Sequence, residues 1–216
     1  MMIQDTTETI ARQVAASLLE VGAIRLRPSD PFTWSSGWKS PIYCDNRLAL
    51  SYPAVRTYIK NALAERIRQT FPGVEAIAGV ATAGIPQGAL VADVLELPFL
   101  YVRSKPKEHG MGNMIEGKVA EGQKVVVIED LISTGGSSLK VVDALREAGA
   151  DVLGMAAIFT YGFAVAKENF VEKNVELLTL SDYAYLLTEA SNLNIITEAD
   201  KISLASWRQS PETWGK

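Results

Sequence analysis

Two adjacent carboxylates, Glu129 and Asp130, separate four apolar residues from a patch of Ser, Thr and Gly in VVVIEDLISTGGSS, Val125 to Ser138. The apolar run Val125–Ile128 reads as a buried central strand, and Gly135–Ala148 as a helix with Leu139, Val142 and Leu145 facing a sheet. Leu131 to Ser138 is then a strand-to-helix turn with its N–H groups aimed at one point. Small residues let a ligand approach the backbone, and the helix N-terminus adds a partial positive charge. That combination cradles a phosphate monoester, with Ser133, Thr134 and Ser137 adding hydroxyl donors. No GxxxxGK[ST] lysine is present, which sets the nucleoside triphosphate loop aside. The acids repel phosphate, and neighbouring strand residues point to opposite faces. If both serve one ligand, the chain must already be turning at Glu129, and they must meet hydroxyls or a metal. A sugar phosphate meets both demands. Taken alone, the acidic pair reads as solvation of a strand end; the whole string does not.

Two further stretches fall where a strand ends. VRSKPKEHGMGNMIEG, Val102 to Gly117, carries Arg103, Lys105, Lys107 and the chain's single histidine, His109, followed by glycines. By itself it reads as a solvated connection; beside a phosphate cradle it reads as a cationic lid that closes over a polyanion and excludes water. GVATAGIPQGA, Gly79 to Ala89, ends a strand in small residues and begins a helix at Ile85 and Pro86. A tight strand-to-helix turn explains Gly84 equally well.

The elements that must position these loops follow from hydrophobic rhythm. From residue 74 onward EAIAGV, PFLYV, KVVVIE, VLGMAAIF and VELLTL are short apolar runs rich in β-branched residues. Helices Gly84–Leu95, Gly135–Ala148 and Phe163–Lys173 separate most of them. This alternation predicts an α/β fold with a parallel sheet covered on both faces, whose ligands sit at the carboxyl ends of the strands. Upstream, Asp5 or Thr6 caps a helix with Ile10, Val14, Leu18 and Val21 on its stripe, ended by Gly22. IRLRPSDPFTWSSGWKSPIYCDNRLAL has neither period and reads as irregular structure with short strands, of the kind that forms a hood. Pro53 opens a second helix presenting Val55, Tyr58, Ile59, Ala62, Leu63 and Ile67. The C-terminal ITEADKISLASWRQSPETWGK reads as a helix.

Composition bounds the function. The 216 residues, 48% apolar, build a real core, and disorder is excluded. A net charge of −4 argues against a nucleic-acid binder. Cys44 is the only cysteine, so no internal disulfide forms and a reducing compartment is expected. The N-terminus MMIQDTTETIARQ lacks the basic-then-apolar order of a signal peptide. The longest uncharged run, Ala76 to Ala92, contains Pro86, Gln87 and three glycines and does not resemble a membrane span. A cytoplasmic protein is expected, without membrane contact.

VVVIEDLISTGGS resembles the phosphoribosyl pyrophosphate (PRPP) motif of the type I phosphoribosyltransferases: an apolar strand, two acids, two apolar residues, then a Thr/Ser/Gly loop. The resemblance implies that fold, with the sheet flanked by helices and an N-terminal hood of about residues 1–50, in one domain spanning 1–216. It implies PRPP contacts from Glu129, Asp130, Leu131, Ile132, Ser133, Thr134, Gly135, Gly136 and Ser137, the acids on the ribose hydroxyls and Ser133 to Ser137 around the 5-phosphate. The family more often has Asp at the first acidic position. RxKxKxHGxGNxIEG is similar to the catalytic loop of bacterial orotate phosphoribosyltransferases. This implies catalytic contacts of Arg103, Lys107 and His109 with the pyrophosphate, made across a homodimer. Ser104 stands where some branches have a second lysine.

In the same comparison, Ala81 to Gly84 become a pyrophosphate loop using backbone amides, Thr82 and Ala83 replacing a Tyr-Lys pair of other branches. SGxKSPxY within Ser35 to Arg47 is similar to the hood segment that closes the orotate pocket. Tyr43 and Cys44 replace a pair of aromatics there, Ser35 a lysine, and Tyr161 an orotate-binding arginine of some relatives; Ser133 is left as the orotate contact. The activity implied is transfer of 5-phosphoribosyl from PRPP to orotate, with Mg²⁺ bound through pyrophosphate, hydroxyls and water and no protein metal ligand. The alternatives are a type I phosphoribosyltransferase for another base, and a PRPP-sensing regulator. A regulator needs no Arg/Lys/His loop and usually carries a basic face.

Overall fold

The computed structural model describes residues 6–34, 37–103 and 114–215. Helix α1 (Thr7–Glu20) begins where Thr6 accepts the Thr9 amide on its hydroxyl, and Val21 and Gly22 end it. Strands β1 (Ile24–Leu26), β2 (Phe32–Thr33), β3 (Lys39–Ser40) and β4 (Ile42–Cys44) form two small antiparallel ribbons, β1 with β4 and β2 with β3. They are the short strands expected of a stretch without a sustained period. A 3₁₀ segment, Asn46–Ser51, follows, capped by the side chain of Asp45.

From α2 (Pro53–Thr70) onward the alternation is regular: β5 (Ala76–Val80), α3 (Gly84–Leu95), β6 (Phe99–Val102), β7 (Ile115–Glu116), β8 (Lys124–Ile132), α4 (Gly136–Glu147), β9 (Asp151–Thr160), α5 (Ala164–Glu172) and β10 (Leu177–Asp182). Helices α6 (Tyr183–Asn192) and α7 (Glu198–Gln209) complete the chain. Asp182 caps the first of these, and Thr197 with Asp200 forms a capping box on the second.

Strand order is β10-β9-β8-β5-β6-β7. β6, β5, β8 and β9 are parallel, and β7 runs antiparallel to β6. The chain leaves β5 toward β6 on one side and returns to β8 on the other. The order therefore reverses between β5 and β8, where an open α/β sheet leaves a crevice outside the carboxyl ends. Val125 to Ile128 of β8 are fully buried, as are Ala76, Ile77 and Ala78 of β5. Each fully buried Val or Ile contributes about 1.5–3 kcal/mol.

The chain forms two compact units, Met1–Arg56 with Ser181–Lys216, and Thr57–Leu180. The first joins the N-terminal strands to α6 and α7: Ser181 donates to the Ala11 carbonyl, Arg12 pairs with Glu189, and the buried Trp207 packs against Trp34 and Tyr183. The second holds the parallel strands and the helices α3 to α5.

The expected boundaries of three elements are corrected. β8 continues through both acids to Ile132 instead of ending at Ile128, because β9 pairs with it that far: Glu129 faces Ala157, Leu131 faces Phe159 and Ile132 faces Thr160. α4 starts at Gly136, since Gly135 is its cap at φ +80°, and Ala148 lies beyond its last residue as the C-cap. α5 is likewise one residue shorter at each end than Phe163–Lys173.

Candidate functional site

The extended β8 decides where the acids go. Because the strand does not turn at Glu129, successive side chains alternate: Glu129 is buried at 7% exposure and Asp130 is half-buried. Both Glu129 oxygens are engaged. Oε1 accepts the Asp130 amide at 2.9 Å, and Oε2 accepts the Ser138 hydroxyl at 2.8 Å. Burial first, and then the charge of Asp130, pushes the Glu129 carboxyl up from its usual 4.5 to about 8. The same burial favours the uncharged form of Glu129, which eases the repulsion between the two neighbouring acids.

Beyond Ile132 the chain turns over Ser133, Thr134 and Gly135 into α4. Ser133 is half-buried, while Thr134, Gly136 and Ser137 are exposed. No side chain of the cap residue covers the first-turn amides of α4, which leaves them for an anion. α5 braces this loop from behind. Asn169 Nδ2 donates to the Thr134 carbonyl at 2.9 Å, and the Phe170 ring packs so close to Gly135 that a Cβ there would sit 2.7 Å from it.

A second helix N-terminus begins at the neighbouring strand. β5 ends at Val80, the Ala81 amide bonds to the Val102 carbonyl, the Ala81–Thr82 peptide is cis, and α3 starts at Gly84 with no side-chain cap. A Cβ on Gly84 would collide with the Ile128 carbonyl, so the glycine is what lets α3 approach β8. The two uncapped helix ends thus start from the adjacent strands that flank the switch point.

The cationic stretch has an ordered stem. Tyr101 pairs with Glu116 and Val102 with Ile115, and the Arg103 amide donates to the Met114 carbonyl. Arg103 is partly exposed and lies 3.7 Å from Glu116 across this stem. The short strand β7 that forms it was not expected from the sequence, which offers only two residues for it.

A family model described as "Phosphoribosyl transferase domain" matches residues 50–184. The orotate phosphoribosyltransferase of Listeria monocytogenes serotype 4b is 59% identical over 208 residues, covering 96% of this chain and 100% of its own. The chain belongs to the orotate phosphoribosyltransferase family. Among solved structures, the orotate phosphoribosyltransferase of Aeropyrum pernix superposes with a TM-score of 0.72 at 31% identity, over 85% of this chain and 99% of that one. UMP synthase of Leishmania donovani gives 0.78 at 25% identity, covering 93% of this chain and 42% of that one. The type I phosphoribosyltransferase fold and the α/β class expected from the sequence hold.

Of the residues expected to serve an orotate phosphoribosyltransferase, the structure brings Glu129, Asp130, Ser133, Thr134, Gly135, Gly136 and Ser137 to one strand end. Leu131 and Ile132 lie inside β8; Ile132 is fully buried and its carbonyl is taken by Thr160 Oγ1 and the Tyr161 amide. Arg103 stands at the root of the lid stretch, whereas Ser104, Lys105, Lys107 and His109 lie outside the described residues, as does Ser35. In the N-terminal ribbons, Tyr43 is exposed beside Phe32 and Arg25, and Cys44 Sγ donates to Asn46 Oδ1 at 3.3 Å. Ser40 is fully buried, its hydroxyl on the Ile42 carbonyl. Tyr161, at the place of an arginine in some relatives, is buried with its ring against Phe159 and Phe163.

Sequence reasoning missed Ser138 and Asn169. Ser138 had a readable signal: it lies four residues before Val142 and seven before Leu145, on the inward stripe of α4. Asn169 had none, since its bond to Thr134 spans 35 residues.

Proposed function

We propose that the chain transfers the 5-phosphoribosyl group of PRPP to orotate, giving orotidine 5-monophosphate and pyrophosphate, a step of pyrimidine nucleotide synthesis. The observation that carries this reading is the pair of uncapped helix N-termini starting from neighbouring strands, with a half-buried carboxylate beside one of them. PRPP has a phosphate at one end, a diphosphate at the other and hydroxyls between, and its charges and donors suit that layout. Family membership supplies the base.

In this reading Ser133 to Ser137 hold the 5-phosphate through amides and hydroxyls, and Ala81 to Gly84 receive the diphosphate. Asp130, the more exposed acid, takes the ribose hydroxyls, and Ser133 is also the orotate contact. As the bond at the anomeric carbon breaks, negative charge grows on the diphosphate and positive charge on the ring. Arg103, Lys107 and His109 stabilise the first and the acid pair the second. No protein nucleophile is required.

Among the described residues no three His, Cys, Asp or Glu side chains gather into a metal cage. Mg²⁺ would be held by diphosphate, hydroxyls and water, where it would neutralise charge. The lid stretch is proposed to act across a homodimer in the cytoplasm; among the described residues no helix is long and apolar enough to cross a membrane. The test follows the orotate ultraviolet band on adding PRPP and Mg²⁺, with uracil, hypoxanthine and adenine as controls. Loss of the band with orotate is expected. Turnover of another base instead, or of none, overturns the assignment.

A further inference from the structure

Ser138 is 2% exposed, and its hydroxyl donates to Glu129 Oε2 at 2.8 Å. The two residues are nine apart, and what lies between them is the cradle itself, Asp130 to Ser137. The bond therefore joins the entrance of the loop, on β8, to its exit, in the first turn of α4. A serine inside a helix can donate its hydroxyl to the carbonyl four residues back. Here that carbonyl, on Thr134, is held by Asn169, and the serine reaches across to the strand. The glutamate side chain, one methylene longer than aspartate, spans the remaining gap from strand to helix.

We propose that Ser138 is a positioning residue for phosphoribosyl binding: its hydroxyl clasps the Glu129 carboxyl and so sets the spacing between the strand end that carries Asp130 and the phosphate cradle. The proposal rests on the phosphoribosyl reading given above and adds a residue to it. Ser138 does not touch substrate. Its loss lets the Glu129 carboxyl rotate and the loop widen, which weakens PRPP binding more than orotate binding.

The experiment is steady-state kinetics with orotate and PRPP on the full chain. Ser138→Ala is expected to raise the KM for PRPP about tenfold, the effect of one lost hydrogen bond to a carboxyl group. The KM for orotate should rise less than the KM for PRPP, and kcat should stay within about twofold of the parent, a small change on this scale. Ser138→Cys, close in volume but a weaker donor, should fall between the two and serves in place of alanine if that variant does not fold. In a Glu129→Ala background, Ser138→Ala should add nothing, as a shared interaction demands. An unchanged KM for PRPP in Ser138→Ala, or the same increase with Glu129 already removed, overturns the proposal while the parent still turns over orotate. A parent protein inactive with orotate and PRPP takes down the functional reading, and this assignment with it.

Discussion

At the level of single residues, the two acids have unequal work. Asp130 is the half-buried one, and Asp130→Asn is expected to lower kcat/KM for PRPP by roughly tenfold to a hundredfold, the worth of hydrogen bonds to a charged group. Glu129→Gln is nearly isosteric, keeps an oxygen for Ser138 and replaces a carboxyl whose uncharged form burial favours. It should therefore cost less than Asp130→Asn, and the reverse order in measured kcat/KM would contradict the division of labour. The double variant should cripple PRPP use. Glu129 also marks the pH dependence of stability. Between its usual 4.5 and about 8 the folded protein binds more protons at this site than the unfolded chain. Stability from this group is then present at the acid end and falls as pH rises through that interval. Denaturant midpoints of the parent and of Glu129→Gln, compared from pH 5 to 8.5, should shift in the variant's favour with rising pH.

At the level of elements, α5 and α4 hold the phosphate turn from two sides. Gly135 sits at φ +80° against Phe170, so any side chain there meets both backbone strain and a ring. Gly135→Ala should lower the melting temperature and raise the KM for PRPP together, because the displaced turn is also the proposed cradle. Asn169→Ala removes one exposed bond to the Thr134 carbonyl and should move the KM for PRPP by only a few-fold, a typical neutral hydrogen bond being worth about 1 kcal/mol. Equal effects of the two, read by calorimetric binding of PRPP, would contradict this ranking and make the Asn169 bond a main support of the turn.

For the whole molecule, the lid residues and the acid pair make a test of assembly. Lys107→Ala alone should depress turnover strongly without unfolding the chain. Mixed with the Glu129→Gln, Asp130→Asn double variant, it is expected to regain activity if the lid of one subunit serves the site of its partner. Random exchange in a two-fold dimer then restores about a quarter of the parent's sites. Lids that serve their own subunit restore none, and activity measured before and after mixing separates the cases.

The α/β class, α3 to its residue bounds, and the acid–Ser/Gly string were legible in the sequence because they depend on local signals: apolar runs, turn residues and caps. So was the family, since its loops are contiguous stretches of chain. The placement of the two acids was not. Whether Glu129 and Asp130 lie on one side or on opposite sides depends on how far β8 remains paired, and that is set by β9, some thirty residues away along the chain, down to the contact of Ile132 with Thr160. The clasp from Ser138 and the braces from Asn169 and Phe170 likewise exist only once strand and helices have packed. Local sequence therefore determined which groups this protein offers to a phosphoribosyl ligand. Long-range strand pairing and helix packing decided which acid is buried, which faces outward, and what holds the cradle between them.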